Sequence, residues 1–387
     1  MNWIDLLVIP LVKIVVVLGA VLTAVPFMVL AERKVLGRIQ NRPGPNRVGP
    51  FGLLQAFVDG LKIFMKEDIT PSQIDKWLYV LAPFCTLVPA LMLTIIIPFA
   101  PSFTLFGRTI QMGIADLNIG ILFYFAITSL AVYGLILAGW SSNNKYSLLG
   151  GLRSSAQMIS YELPLGLSVI GIFLLAGTFR LDGAQSIIQN QAGGFWHWHV
   201  ISQPVAFFIF FIAGFAETNR LPFDLPEGES ELTGGYHTEY SSMKFAMFFM
   251  AEYANMFVFS SLLTTLFLGG YHAPFSLTLF GLSDPVGIYA VLWGLFWFVA
   301  KIAFFIFFFI FIRGTLPRFR YDQLMDLGWR LMLPLAIGNA VVTALVVAMN
   351  LSAPAQTSLL FVLNVATIVG IDRYLTSAQR RLLNASA

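Results

Sequence analysis

Cysteine is nearly absent from the 387-residue sequence: Cys85 is the only one. A single thiol excludes an internal disulfide and cannot supply the four thiolates of an iron–sulfur cluster. Histidine is almost as scarce. His197, His199, His237 and His272 are the full set, and all fall in segments read as loops. Haem inside a membrane needs axial ligands within the helix bundle, so an integral cytochrome is disfavoured. His197 and His199 in "FWHWHV" have two-ligand metal spacing, but two ligands are too few, and the flanking Trp196 and Trp198 read as an interfacial belt. No Gly-rich phosphate loop of either common type occurs.

Charge is the next shortage. Only 11% of residues are Asp, Glu, Lys or Arg, against 57% hydrophobic, and mean hydropathy is +0.78. A soluble chain is nearer a quarter charged. The formal net charge of +3 is too small to speak for nucleic acid, and none is expected as a partner. What fills the sequence instead is apolar runs of membrane-crossing length. Spans are expected near 8–30, 77–98, 117–140, 156–179, 202–219, 243–268, 286–312, 329–349 and 355–372. The first lacks the basic flank and cleavage site of a signal peptide and reads as a retained span. The fold class is therefore all-α: a polytopic membrane helix bundle of eight core transmembrane helices and a short ninth, forming one integral domain over 1–387.

Loop charge orients the bundle. With the N-terminus outside, the inside segments hold nineteen Lys and Arg residues and the outside loops only Arg108 and Arg180. The first inside loop contains "FGLLQAFVDGLKIFMKED". There Gln55, Asp59, Lys62 and Lys66 share one helical face, while Leu53, Leu54, Phe57, Val58, Leu61, Phe64 and Met65 share the other. Residues 51–68 read as an interfacial amphipathic helix on the membrane surface or against a partner.

The scarce charges concentrate. Asp224, Glu227, Glu229, Glu231 and Glu239 lie in one inside loop, 217–242, in a chain with only 20 acidic residues. Crowded or buried carboxylates titrate as a coupled set, as a proton-handling site requires; a solvated acidic loop is the plainer reading. Leu221, Phe223, Leu225 and Leu232 make the loop too apolar for that. Lys13, Glu162, Glu217, Glu252 and Lys301 fall within or at the ends of spans. A charge at the bilayer centre costs about 2.5–3.5 kcal/mol on insertion scales, so each is a functional candidate beside the alternative of snorkelling. Tyr161, Tyr236 and Tyr240 read as interfacial aromatics.

Four stretches resemble the H subunit of proton-translocating NADH:quinone oxidoreductase, respiratory complex I. They are "AERKVLGRIQNRPGPNRVGPFGLLQAFVDGLKIFMKED" (31–68), "KYSLLGGLRSSAQMISYELPLG" (145–166), "AETNRLPFDLPEGESELTGGYHTEYSSMKFAMFFMAEYANM" (216–256) and "RGTLPRFRYDQLM" (313–325). The resemblance implies a subunit without redox centre or metal that forms much of a quinone cavity. NADH, FMN and iron–sulfur clusters would belong to partner subunits. On that pattern Arg33, Arg38, Asp59, Phe223, Asp224, Glu227, Glu229, Glu231, Arg313 and Arg318 would line or border the quinone cavity. Glu162, Glu217, Glu252, Tyr161 and Glu239 would carry a proton path. Implied partners are the peripheral-arm quinone-site and iron–sulfur subunits, small neighbouring membrane subunits, quinone and lipid. The implied location is a bacterial plasma (inner) membrane, with the acidic loop and C-terminus cytoplasmic. The equivalent subunit of a membrane-bound hydrogenase-type complex is the alternative, because the electron donor is not encoded in this chain.

Overall fold

The computed structural model describes residues 7–105, 108–183, 185–225, 233–275 and 287–386. Helices follow the apolar runs. They are α1 (Ile9–Ile39), α2 (Gln55–Phe64), α3 (Lys76–Met92), α4 (Gly120–Ser141), α5 (Lys145–Ala176), α6 (Pro204–Glu217), α7 (Ser242–Phe267), α8 (Ile288–Thr315), α9 (Tyr321–Ala348) and α10 (Ala353–Ser386). Eight of them are long and apolar enough to cross a membrane; α6 is the shorter apolar ninth. Helices stand at all nine expected places, but the short one is not the last: α10 has membrane-crossing length, while the span expected at 202–219 is the 14-residue α6. A small antiparallel ribbon, pairing Phe103 with Ile110, is the one departure from an all-helical chain among the described residues.

Local chemistry sets the helix ends. Pro10 in the first turn starts α1, where its missing N–H costs nothing. The Asn144 side chain accepts from the Tyr146 N–H to cap α5, and Gly177 closes that helix in the left-handed region at φ 66°. Within lipid there is little hydrophobic drive between helices, so close packing and polar contacts hold them together. Gly134 of α4 meets α3 so closely that a Cβ there would lie 2.5 Å from Thr86 Cγ2. Aromatic rings fill the centre: Phe210 stacks on Phe259 at 5.1 Å and Phe215 on Phe309 at 4.0 Å.

The connections segregate as the charge pattern requires. At one end Ile69 and Ser241 exchange hydrogen bonds, Lys244 pairs with Asp68 at 2.8 Å, Asn143 reaches Gln73 O, and Phe319 N donates to Pro222 O. These are the Lys- and Arg-rich loops. At the other end Phe195 N donates to Pro274 O and Lys13 to Gly113 O. Only part of the polar face of α2 turns inward: Asp59 takes Arg33 at 2.5 Å and Gln55 at 2.8 Å, while Lys62 and Lys66 are exposed. Phe57, Leu61, Phe64 and Met65 remain exposed, an apolar face that nothing in this chain covers among the described residues.

Candidate functional site

The basic end of the bundle encloses a cavity of about 580 Å³ between α1, α2, α7 and α8. Its walls are mostly apolar, with Val25, Leu30, Ile63, Phe245 and Phe249 among them. One end is polar and carries Glu32, Arg33, Asp59, Tyr253 and Arg313. A large apolar cavity with a few converging polar groups has the chemistry of a small-ligand site.

Glu32 organises that polar end. It is 4% exposed and lies on the buried stripe of α1 with Val21, Val25 and Met28. Tyr253 donates to it at 2.9 Å, Arg220 at 2.6 Å, and Arg313 also bonds to it. Arg220 is 2% exposed, and its guanidinium lies 4.2 Å from the centre of the Tyr253 ring. Its Nε stands 2.6 Å from Glu252 Oε1, a contact of charges rather than an aligned hydrogen bond. One cation therefore joins a carboxylate on the cavity wall to a carboxylate beyond it. Buried charge is tolerated only when paired in this manner. Nearby, Asp224 pairs with Arg318 at 3.2 Å; burial pushes its carboxyl up to about 6, against the pull of Arg318.

Beyond Arg220 the polar groups continue inward. Glu252 and Glu217 both line a chamber of about 30 Å³ with Thr86, Tyr236 and Asn255. A second chamber of about 10 Å³ leads from Glu217 past Tyr124 and Thr128. Spaces of this size hold on the order of one or two waters when polar groups face them. Glu217 Oε2 is buried with no protein partner among the described residues. Glu162 of α5 takes a hydrogen bond from Ser129 of α4.

A family model for NADH dehydrogenase matches residues 12–344. The NADH-quinone oxidoreductase H subunit numbered 2 in Koribacter versatilis is 52% identical, over 89% of this chain and 98% of its own length. The H subunit numbered 1 in Geobacter sulfurreducens is 50% identical, over 87% and 94%. The H subunit of Protochlamydia amoebophila is 48% identical, over 83% and 92%. The chain belongs to the family of NADH-quinone oxidoreductase H subunits.

Within this family member, the expected site residues fall into groups. Arg33, Asp59 and Arg313 line the cavity, and Glu217 and Glu252 share the inner chamber. Asp224 and Arg318 pair beside the Arg220 cluster. Arg38 is exposed and absent from the cavity wall. Phe223 is buried against Tyr161 and Phe319 instead, at 5.7 and 5.5 Å. Glu239 stands apart from the chamber: its carboxylate accepts from Asn144 and its carbonyl from Tyr79. Glu227, Glu229 and Glu231 lie outside the described residues. Among the described residues no group of three or more His, Cys, Asp or Glu could hold a metal ion.

Several aromatic and lysine assignments change. Tyr161 is fully buried, donating to Leu324 O at 2.8 Å, and Tyr240 stacks on Tyr79 at 4.1 Å. Neither faces outward from the protein as a belt aromatic would; each phenol has found a partner inside it. Tyr236 is likewise buried. Trp198 is 5% exposed and covers Lys301 at 4.3 Å rather than forming a belt. Lys301 neither snorkels nor joins the carboxylates. It donates to the carbonyls of Leu268, Gly270 and His272 at 2.6, 2.8 and 2.6 Å, just past the end of α7. That is a cation shared by three carbonyls of the turn that follows the helix, at its negative end.

Proposed function

We propose that this chain is the membrane component in which a complex I-type oxidoreductase binds the quinone and passes the consequence of its reduction to proton-carrying carboxylates. One observation carries the reading. Arg220 contacts Glu32 on the cavity wall and Glu252 on the inner chamber, and Glu252 shares that chamber with Glu217.

In this reading the apolar walls take the quinone tail and the polar end takes its head. Two electrons from a partner subunit's iron–sulfur cluster and two protons convert quinone to quinol. Charge arriving on the head draws Arg33 and Arg313 toward it. Arg313 then loosens from Glu32, and Arg220 redistributes between Glu32 and Glu252. A change of charge at Glu252 biases the protons held by Glu217 and, through Ser129 and the smaller chamber, Glu162. The work to be done is about 2.3 kcal/mol per charge moved across 100 mV. A buried ion pair that trades partners is of that order.

The Asp224–Arg318 pair, with Glu227, Glu229 and Glu231, would border the quinone head and the peripheral-arm subunits. NADH, FMN and the clusters belong to those partners. The chain would sit in a bacterial plasma membrane with its basic end cytoplasmic. Glu252→Gln in the assembled complex tests the path: quinone should still bind, while protons transported per NADH oxidised fall. An unchanged proton yield would refute the reading.

A further inference from the structure

The helix that presents Glu217 is discontinuous. Its 14 residues reach about 21 Å, short of the roughly 30 Å hydrocarbon core. A separate turn, His199–Ser202, precedes it, and Gln203 at φ −132°, ψ 53° breaks the backbone between the two. Inside a bilayer such a break survives only where protein groups satisfy the freed donors and acceptors. Here they do so from two other helices. Asn364 of α10 accepts from Val205 N–H at 3.3 Å, the free donor of the first turn of α6. The same amide donates to Ser202 O at 3.4 Å, on the other side of the break. The Gln203 side chain donates to Thr343 Oγ1 and accepts from Asn339 Nδ2, both at 2.8 Å on α9. Gln203 and Thr343 are 0% exposed and Asn364 2%.

We infer that Asn364, with Gln203, Asn339 and Thr343, is a positioning set that fixes the broken start of α6 and thereby the depth and rotation of Glu217 at its other end. Three features support this. Both bonds to Asn364 bridge the break itself. The remaining members of the set are amides and a hydroxyl in spans otherwise almost wholly apolar. The helix they pin ends at the carboxylate facing the inner chamber. Asn364 lies beyond residue 344, where the family match stops. The C-terminal helix is thus part of the machinery rather than an appendage. Glu217 is faced by Glu162 from α5, Tyr124 from α4, Glu252 from α7 and Tyr236 from the preceding loop. Moving α6 changes its distance to all four, so its effect is read in a pH profile. The inference rests on the proton-path reading of Glu217.

The test compares Asn364→Leu, Asn364→Asp and Glu217→Gln in the assembled oxidoreductase in native membranes. Readouts are protons transported per NADH oxidised and the pH profile of NADH:quinone activity. Asn364→Leu should assemble, lose about fivefold in coupled transport, the equivalent of one hydrogen bond, and shift the pH profile. Asn364→Asp keeps an acceptor for Val205 N–H and should restore most of the transport. Wild-type transport and an unshifted profile in assembled Asn364→Leu would overturn the inference. If Asn364→Leu does not assemble, Thr343→Val, which strips one partner from Gln203, is read by the same two criteria. Normal transport in Glu217→Gln would overturn the proton-path reading itself. Impaired Glu217→Gln beside a silent Asn364→Leu would overturn the positioning role alone.

Discussion

Arg220→Met removes a single cation from between two carboxylates, and its cost follows from who is left. Arg220 is 2% exposed and touches Glu32 and Glu252 at 2.6 Å each. After the change Glu32 retains Arg313 and Tyr253. Glu252 retains no ion pair within 4.0 Å among the described residues. Stranding one buried charge costs about 3–5 kcal/mol. Adding Glu252→Gln removes the stranded charge, so the double variant should regain about 1.5–3 kcal/mol relative to the sum of the single changes. The assay is thermal inactivation of the detergent-solubilised complex, with the amount of assembled enzyme measured by native electrophoresis. Strict additivity of the two changes, or a cost below about 1 kcal/mol for Arg220→Met, would show that the cation is solvated and not the link described.

Lys301→Met should destabilise the chain by about 3 kcal/mol or more, because three carbonyls past α7 lose their shared donor; the melting temperature checks it, and quinone affinity should not move. Gly60→Phe should raise the KM for quinone without loss of assembly, since position 60 lines the cavity and a Cβ there meets nothing within 4 Å. Asp224→Asn should flatten the pH dependence of stability. The wild-type carboxyl is raised from 3.8 to about 6, so between those values the folded form binds a proton that the unfolded form has released. Its stabilisation is full below 3.8 and lost as pH rises through about 6. Melting curves from about pH 4 to 7 of both forms check the sign.

Apolar run length placed the eight helices of membrane-crossing length, because crossing a bilayer demands length before anything else. It did not show that α6 stops short of a full span, since "PVAFFIFFIAGFA" is apolar to its last turn and the break at Gln203 is a matter of backbone and partners. Arg33, Asp59, Arg313, Glu217 and Glu252 were legible through family resemblance and the rarity of charge. Glu32 was missed because it sits in "AERK", where the apolar run gives way to loop charge. Its signal was helical spacing: 21, 25, 28 and 32 form one stripe, and that stripe is buried. Arg220 was counted only as a positive-inside charge. Nothing in sequence distance tells that residue 220 reaches residue 32. The tyrosines were misplaced for the same reason, since an aromatic near a span end reads as interfacial whether or not a second helix covers it.

Light-induced labelling of the complex by a photoreactive quinone would locate the quinone in this chain. Label is expected on the walls of the cavity, at α1 near Leu30, α2 near Ile63 and α7 near Phe249, displaced by excess unlabelled quinone. Displaceable label confined to other surfaces of this chain or to partner subunits alone would contradict the reading.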